Sequence, residues 1–502
     1  MRFQAINQGD LAQVANRLEK LTKSWSAGYQ GIQNAGRTGI SALAAEQLDP
    51  VMRSITMEDK DFMLTKDIPT LKATQTVYSY MVKTRVQSGQ DLAGMEAFLP
   101  QEDASDYMRV AEVLKVYGIR KTITQMAQFV NEAGGYSLDI EKENDLNAAL
   151  AMAAQLERDL YYGGDYYMDS VGAIDATIAA NPNGPVRNIR GIQANIREGD
   201  RSQRGIPGDF TAYGNNRSVV HDAKGNVLNR KFLDKVVTAV RDSRGSVKEA
   251  HCTTSQLAEF RATFFPFERG DLGALYSVRG AGVTNDEQMA LPIQTVGGVL
   301  DFYPTVFKYN IQFPEVVVGS VGVPPATPSV VAAMAGAGSG SIFKNGDIVS
   351  YRVQAKNISG KLQASASQQV TTTVDGRPNQ LTITNVAGAE EYLIFSTPIE
   401  ASGTAGLEMF CGRILNSRLT NTIFYDYGKV EPGLDSILML PKDKNRAKMA
   451  VLGNLLNKMD LGVRGLAFET VYASYCGCVV DRPRSFALVD NVFQQREGID
   501  ID

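Results

Sequence analysis

The chain has 502 residues, 44% of them hydrophobic and 21% charged, with 51 basic against 55 acidic side chains for a net charge of −4. At ~150 residues per domain that length suggests about three domains, and the balance is that of an ordinary soluble globular protein. Collagen-like, disordered and disulfide-framework classes are excluded. No segment approaches the ~20 apolar residues of a membrane helix, the most apolar run being Ser329 to Ala337. The opening MRFQAINQGDLAQ lacks the pattern of a secretory signal, and four cysteines agree with a reducing compartment, so a cytosolic origin is expected. Two histidines, His221 and His251, weigh against acid/base and metal chemistry. A slightly acidic total weighs against a protein whose main task is gripping phosphates.

In chain order, Leu11, Val14, Leu18 and Leu21 form one helical stripe behind a possible capping box at Asp10 and Gln13. The Gly-rich stretch after it, around Trp25, marks that helix as an arm that docks elsewhere. Residues 71–86 and 108–124 are rich in Val, Thr, Tyr and Ile and are expected to pair as a long antiparallel hairpin. Their connection carries Asp91, Glu96, Glu102, Asp103 and Asp106, while Lys83, Arg85, Arg109 and Lys115 fall on the strands. Two strands cannot bury a core between them, so the hairpin needs a partner, either a second subunit or its own domain.

Residues 138–162 give the longest helical pattern, with Leu146, Leu150, Ala153, Leu156 and Leu160 on one side, Ser137 as cap and Gly163 with Gly164 as stop. Residues 165–228 look loop-like, and further helices are expected over Arg230–Arg241 and Lys444–Met459. After Val323 the composition shifts to short strands with turn signals, the spacing of an all-β sandwich running to about Val430. Gly465 to Val480 is one long strand, and nothing after Gln495 looks folded.

No catalytic constellation emerges. Cys476 and Cys478 share one face of a strand and could hold a metal with His251 or Cys252, but with Phe468 and Tyr472 on that face a core stripe is the simpler reading. His251 and Cys252 are neighbours on a strand and point to opposite faces, which blocks a dyad. GAGSGS at 336–341 lacks the Lys-Ser/Thr pair of a phosphate cradle, and paired carboxylates such as Glu390 with Glu391 are explained by solvation. Asn216 and Asn357 begin sequons that are empty signals in a bacterial cytosol.

The order of parts resembles the major capsid proteins of tailed bacteriophages, the Hong Kong 97 fold. GISALAAEQLDPVMRSIT from Gly39 is similar to that family's N-arm, IPTLKATQTVYSYMV to the lead-in of its E-loop, and QLERDLYYGGD to the end of its spine helix. PGLDSILMLP and RPRSFALVDNV resemble the segments returning to its axial and peripheral domains, and DIVSYRVQAKN with ITNVAGAEEYLIF resembles an immunoglobulin-like insertion. The resemblance implies an α+β chain with an N-terminal arm (1–65), E-loop hairpin (66–125), peripheral domain with spine helix (126–240), axial domain (241–320), inserted immunoglobulin-like sandwich (321–430) and return segments (431–502).

It further implies a non-enzymatic structural protein without cofactor or bound metal, assembled in the host bacterial cytoplasm into hexamers and pentamers of an icosahedral virion capsid around double-stranded DNA. Subunit contacts are expected at Lys83, Arg85, Glu96, Glu102, Asp103 and Asp106. The partners implied are further copies of itself, portal, scaffolding and decoration proteins, and DNA contacted nonspecifically; no membrane is implied. The alternative is an adhesion or glycan-binding protein working through the sandwich.

Overall fold

The computed structural model describes residues 62–83, 107–125, 140–164, 189–201, 219–243, 245–264, 291–308, 325–336, 341–357, 362–416, 420–464 and 467–494. Apart from Ile140, these belong to one compact unit made by Met57–Met126 and Glu141–Asp502. A helical turn, α1 (Leu64–Asp67), precedes β1 (Thr70–Ala73), β2 (Val77–Lys83), β3 (Tyr107–Val113) and β4 (Lys115–Thr124). Next come α2 (Ile140–Tyr162), α3 (Ile192–Arg201), β5 (Val220–Asp222), α4 (Arg230–Asp242), β6 (Val247–Cys252), α5 (Thr254–Phe264), β7 (Leu291–Thr295) and β8 (Gly298–Pro304). An all-β stretch follows: β9 (Val330–Met334), β10 (Ile348–Asn357), β11 (Leu362–Ala364), β12 (Gln368–Thr371), β13 (Asn379–Thr384), β14 (Ala389–Ser396), β15 (Met409–Leu415) and β16 (Asn421–Asp426). The chain closes with β17 (Asp435–Pro441), β18 (Ala447–Leu452), β19 (Asn457–Arg464), β20 (Ala467–Val480) and β21 (Ala487–Val492).

The mixed α+β class agrees with the sequence. A six-stranded sheet in the order β5-β21-β17-β6-β8-β7 lies in the main core, with α4 laying Leu233, Val236, Val237 and Val240 into that core. Asn229 caps α4 by accepting from the Phe232 N–H at 2.9 Å, and burial of the valine stripe overrides the weak helix propensity of β-branched residues. A second sheet is built around β20. β18 and β19 pair with its two halves on one edge, and β4 runs antiparallel along the other from Thr124↔Ala467 to Lys115↔Cys476.

The stretch from β9 to β16 folds as two sheets, β16-β13-β9 and β11-β10-β14-β15 with β12 also on β10, around Tyr351, Val353, Ile383, Tyr392, Ile394 and Phe424. It does not stand apart from the body: Leu393, Phe395 and Phe410, on β14 and β15, belong to the main core.

Several expectations change. Lys444–Met459 is not a helix but a short 3-10 turn followed by β18 and β19, broken at Gly453 with φ +83°. Its stripe Ala447, Val451, Leu455, Met459 has helical spacing by coincidence, and pairing with β20 decides the matter. The expected strand 108–124 is two strands: β3 pairs with β2, whereas β4 leaves the hairpin for β20. Residues 165–228, expected as loop, contain α3 and β5. Of the residues read on one side of α2, Leu156 and Leu160 are buried, whereas Leu146 is 55% exposed. Ser137, residues 1–61 and everything after Gln494 lie outside the described residues.

Candidate assembly interface

The β2–β3 ribbon alternates side chains between two faces. Tyr78 and Tyr80 turn inward onto the small cluster of Ala73, Leu114, Ala450 and Val479, and the Tyr80 hydroxyl donates to the Val480 carbonyl at 3.5 Å. Gly477 allows this close approach: a Cβ there would meet Leu114 Cδ2 at 3.0 Å. The other face pairs Val77 with Val113, Ser79 with Ala111 and Met81 with Arg109. Met81 is 76% exposed, Val113 53% and Val77 42%, so the outer face is an apolar strip in water. A two-stranded ribbon is marginal alone, and one that exposes its apolar face has further surface to bury.

The ribbon's base continues into β4, and β4 is fixed to α2 by polar contacts. Tyr117 donates to Asp159 Oδ2 at 2.7 Å and accepts from the Ile189 N–H at 2.8 Å. Burial, reinforced by the Asp159 charge, pushes the Tyr117 hydroxyl well above its ordinary pKa, so it stays a donor. Asp159 also receives the Arg413 guanidinium of β15 at 2.5 Å, with both side chains fully buried. Arg413 lies 3.5 Å from Glu391, which pairs with Lys356 at 2.8 Å. Burial raises the Glu391 pKa, but Arg413, Lys356 and Arg158 outweigh it and hold the carboxyl below its ordinary value. Removing one member of such a buried pair typically costs ~3–5 kcal/mol. α2 therefore ties together strands that lie hundreds of residues apart.

Two residues earlier, Glu157 holds the start of the described chain. Its carboxylate accepts from the N–H groups of Met63 (3.1 Å), Leu64 (2.7 Å) and Thr65 (2.7 Å) and from the Thr65 hydroxyl (2.6 Å). Burial raises its pKa against the pull of those four donors. The same carboxylate satisfies the otherwise orphaned amides of α1.

The former catalytic candidates are core residues. His251 is enclosed, its pKa lowered to about 3 by burial and by the Lys308 charge, and its Nδ1 shares a hydrogen bond of 2.5 Å with the Tyr161 hydroxyl. Burial pushes the Cys252 thiol up to about 12, which leaves no thiolate for nucleophilic attack at neutral pH. Cys476 and Cys478 are buried in the main core, Tyr472 is buried in a separate cluster with Ala148 and Met152, and Phe468 is 36% exposed. Lys308 and Asp435 are buried together at 3.7 Å, both oxygens of Asp435 accepting from Tyr162. Burial lowers the one pKa and raises the other, against their mutual attraction.

Of the residues expected at subunit contacts, Arg85, Glu96, Glu102, Asp103 and Asp106 lie outside the described residues, and Lys83 is placed only as the last position of β2, opposite Tyr107. Arg109 lies exposed on the ribbon's outer face and donates to Ser79 Oγ at 2.9 Å. Sequence reasoning missed the Glu157 and Asp159 anchors and the apolar strip. The strip's signal was readable in the alternation Val77, Ser79, Met81; the anchors' partners are too distant in sequence to give one.

No family model matches the chain, and no curated protein is similar to it in sequence. Solved structures do align over most of its length. The SrpI encapsulin of Synechococcus elongatus covers 92% of this chain and 99% of its own at 10% identity and a TM-score of 0.36. The capsid of a native GTA particle covers 90% and 96% at 10% identity and a TM-score of 0.38, and that of cyanophage P-SCSP1u 91% and 95% at 8% identity and 0.39. Two of these structures are capsids and the third is an encapsulin complex. Likeness at this level establishes no residue equivalence, and no helix among the described residues is long and apolar enough to cross a membrane.

Proposed function

We propose that the chain is the major capsid protein of a tailed bacteriophage, a structural and non-enzymatic tile whose copies assemble as hexamers and pentamers of an icosahedral shell around double-stranded DNA. The observation that carries this reading is the ribbon's outer face, where Val77, Met81 and Val113 stand exposed on a two-stranded element joined to the body through one face only. A neighbouring subunit is the natural cover, because interfaces that hold usually bury at least ~1,200 Å² and a reaching ribbon supplies such area.

In this reading residues 1–65 are the arm, 66–125 the E-loop, 126–240 the peripheral domain with α2 as spine, 241–320 the axial domain, 321–430 the insertion and 431–502 the return segments. An immunoglobulin-like insertion is supported by the pairings β10–β12, β10–β14 and β14–β15 in one sheet and β9–β13 in the other. Lys83, Arg85, Glu96, Glu102, Asp103 and Asp106 would set register at the contact more than strength, since exposed ion pairs yield only ~0–1 kcal/mol. Portal, scaffolding and decoration proteins complete the partner set, DNA contact is weak and nonspecific, and assembly takes place in the bacterial cytoplasm before the protein resides in the virion.

Replacing Met81→Asp together with Val113→Asp tests the reading. Both sites are exposed, so the unfolding midpoint should move by no more than about 0.5 kcal/mol equivalent. Electron microscopy of the wild type should show shells or capsomers, and of the double variant only dispersed subunits. Full-size shells from the variant, or a wild type that stays monomeric at every concentration and salt, would defeat the proposal. The adhesion reading finds less support: the sandwich's exposed large apolar residues Val331, Ile342, Val374 and Leu407 are aliphatic, Tyr351, Tyr392, Phe395 and Phe424 are buried, and Tyr425 and Tyr427 are only partly exposed.

A further inference from the structure

Lys308 and Asp435 form a charged pair in the interior that plays no part in the proposed assembly. Their side chains are 0% and 1% exposed, and Lys308 Nζ stands 3.7 Å from Asp435 Oδ1, beyond hydrogen-bond length. Asp435 opens β17 and Lys308 follows β8, and in the six-stranded sheet β6 lies between those two strands.

Tyr162 and Ser436 hold both groups in place. The Tyr162 hydroxyl donates to Asp435 Oδ1 at 2.9 Å and to Oδ2 at 2.7 Å, and Lys308 Nζ lies over the Tyr162 ring, 5.5 Å from its centroid. The Ser436 N–H donates to Asp435 Oδ1 at 2.6 Å, and Nζ donates to the Ser436 carbonyl. The carboxyl carbon is therefore fixed beside the lysine nitrogen, with donors on both of its oxygens. Such donors stabilise the negative charge that grows on oxygen when a nucleophile adds to the carbon.

Burial disfavours both charged forms. It lowers the Lys308 pKa and raises that of Asp435, which shifts the pair from ammonium and carboxylate towards amine and acid. Keeping two charges out of water is costly, and an amide between the two groups removes both.

We propose that Lys308 and Asp435 join as an intramolecular amide. A proton passes from the Lys308 ammonium to Asp435 Oδ1, and the freed amine lone pair attacks Cγ to form the C–N bond. The Cγ–Oδ1 bond then breaks. Oδ1 leaves as water with that proton and a second one from the nitrogen, while Oδ2 remains as the amide oxygen and accepts from Tyr162. One water is released, and no oxidant, reductant or co-reactant takes part. In the sequence Lys308 precedes β9–β16 and Asp435 follows them, so the amide closes that whole stretch into a covalent ring anchored on the main sheet. His251 stays neutral beside it, because burial is the larger cause of its low pKa.

Mass spectrometry of the purified full-length protein, digested after denaturation, tests it. The wild type is expected to yield a branched peptide joining the Lys308 and Asp435 segments, lighter than their sum by about 18 Da, one water. Lys308→Arg and Asp435→Ala should each yield linear peptides only. Linear peptides alone from the wild type overturn the proposal and leave an ordinary buried ion pair. So does a loss of water confined to the peptide holding Asp435 and Ser436, the mark of a cyclic imide, or a loss that persists in either variant. The wild-type digest decides by itself, whether or not the variants fold. Because the bond lies within one chain, its outcome is separate from that of shell assembly.

Discussion

His251 shows what enclosure does to a single ionisable group. Its ring lies near Tyr161 and Tyr303, with centroids 5.8 and 6.0 Å away, and with burial as the larger cause and the Lys308 charge as the next its pKa falls from 6.5 to about 3. In the unfolded chain the ring takes a proton as pH falls through ~6.5, whereas in the folded chain it stays neutral until about 3. The unfolded state therefore binds more protons in that window. The contribution of the ring is fully present above pH ~6.5 and is lost as pH drops, by up to ~1.4 kcal/mol per unit. Glu157, Asp426 and Asp435, whose pKa values are raised, act in the opposite sense, so the informative quantity is a difference between slopes. Between pH 7 and 5 the wild-type unfolding free energy, from denaturant titration, should fall about 1–2 kcal/mol more than that of His251→Gln. Coincident slopes would mean that the ring is not held neutral.

At the scale of elements, the end of α2 depends on backbone passing very close to backbone. The Gly191 N–H donates to the Gly163 carbonyl at 2.6 Å, and a Cβ on Gly163 would stand 2.3 Å from the Ile189 oxygen and 2.5 Å from that of Asp159. Because the obstacles are backbone atoms, no rotamer change relieves them. Gly163→Ala is expected to lower stability by more than about 2 kcal/mol, while Gly336→Ala, whose Cβ would meet nothing within 4 Å, should stay within about 0.5 kcal/mol. Equal denaturation midpoints for the two variants would contradict this crossing. The Gly163-Gly164 stop was readable in the sequence, and so was the β-rich run of β20. The β18–β19 region was not, because the stripe from Ala447 to Met459 fits a helix as well as it fits alternating strands. For α3 a usable signal existed in the spacing of Ile189, Ile192 and Ile196, all buried, within a segment otherwise resembling loop.

For the whole molecule, the relation between sandwich and body decides what can be separated. β14 and β15 face two ways: Tyr392, Ile394 and Cys411 fill the sandwich core, and Leu393, Phe395 and Phe410 fill the main one, with Arg413 reaching the Asp159 carboxylate. A fragment of residues 325–430 would expose three large apolar side chains and an arginine deprived of its buried partner. It is expected to self-associate and to unfold without a sharp transition, by sedimentation and circular dichroism. A monomeric fragment with a cooperative melt would show that this stretch carries its own stability.

Local chemistry, read from the sequence alone, determined the class of the chain, the long helix with its glycine stop, the all-β stretch, the pairing of the ribbon and the scarcity of histidine. Each of these is written in spacing and composition over a few residues. Only the tertiary structure decided that β4 deserts the hairpin for β20, that Lys444–Met459 is strand, that Glu157 and Asp159 anchor remote segments, and that the sandwich shares its core with the body. Those outcomes depend on contacts such as Asp159 with Arg413, 254 residues apart, whose energy comes from mutual burial and leaves no mark on either neighbourhood taken singly.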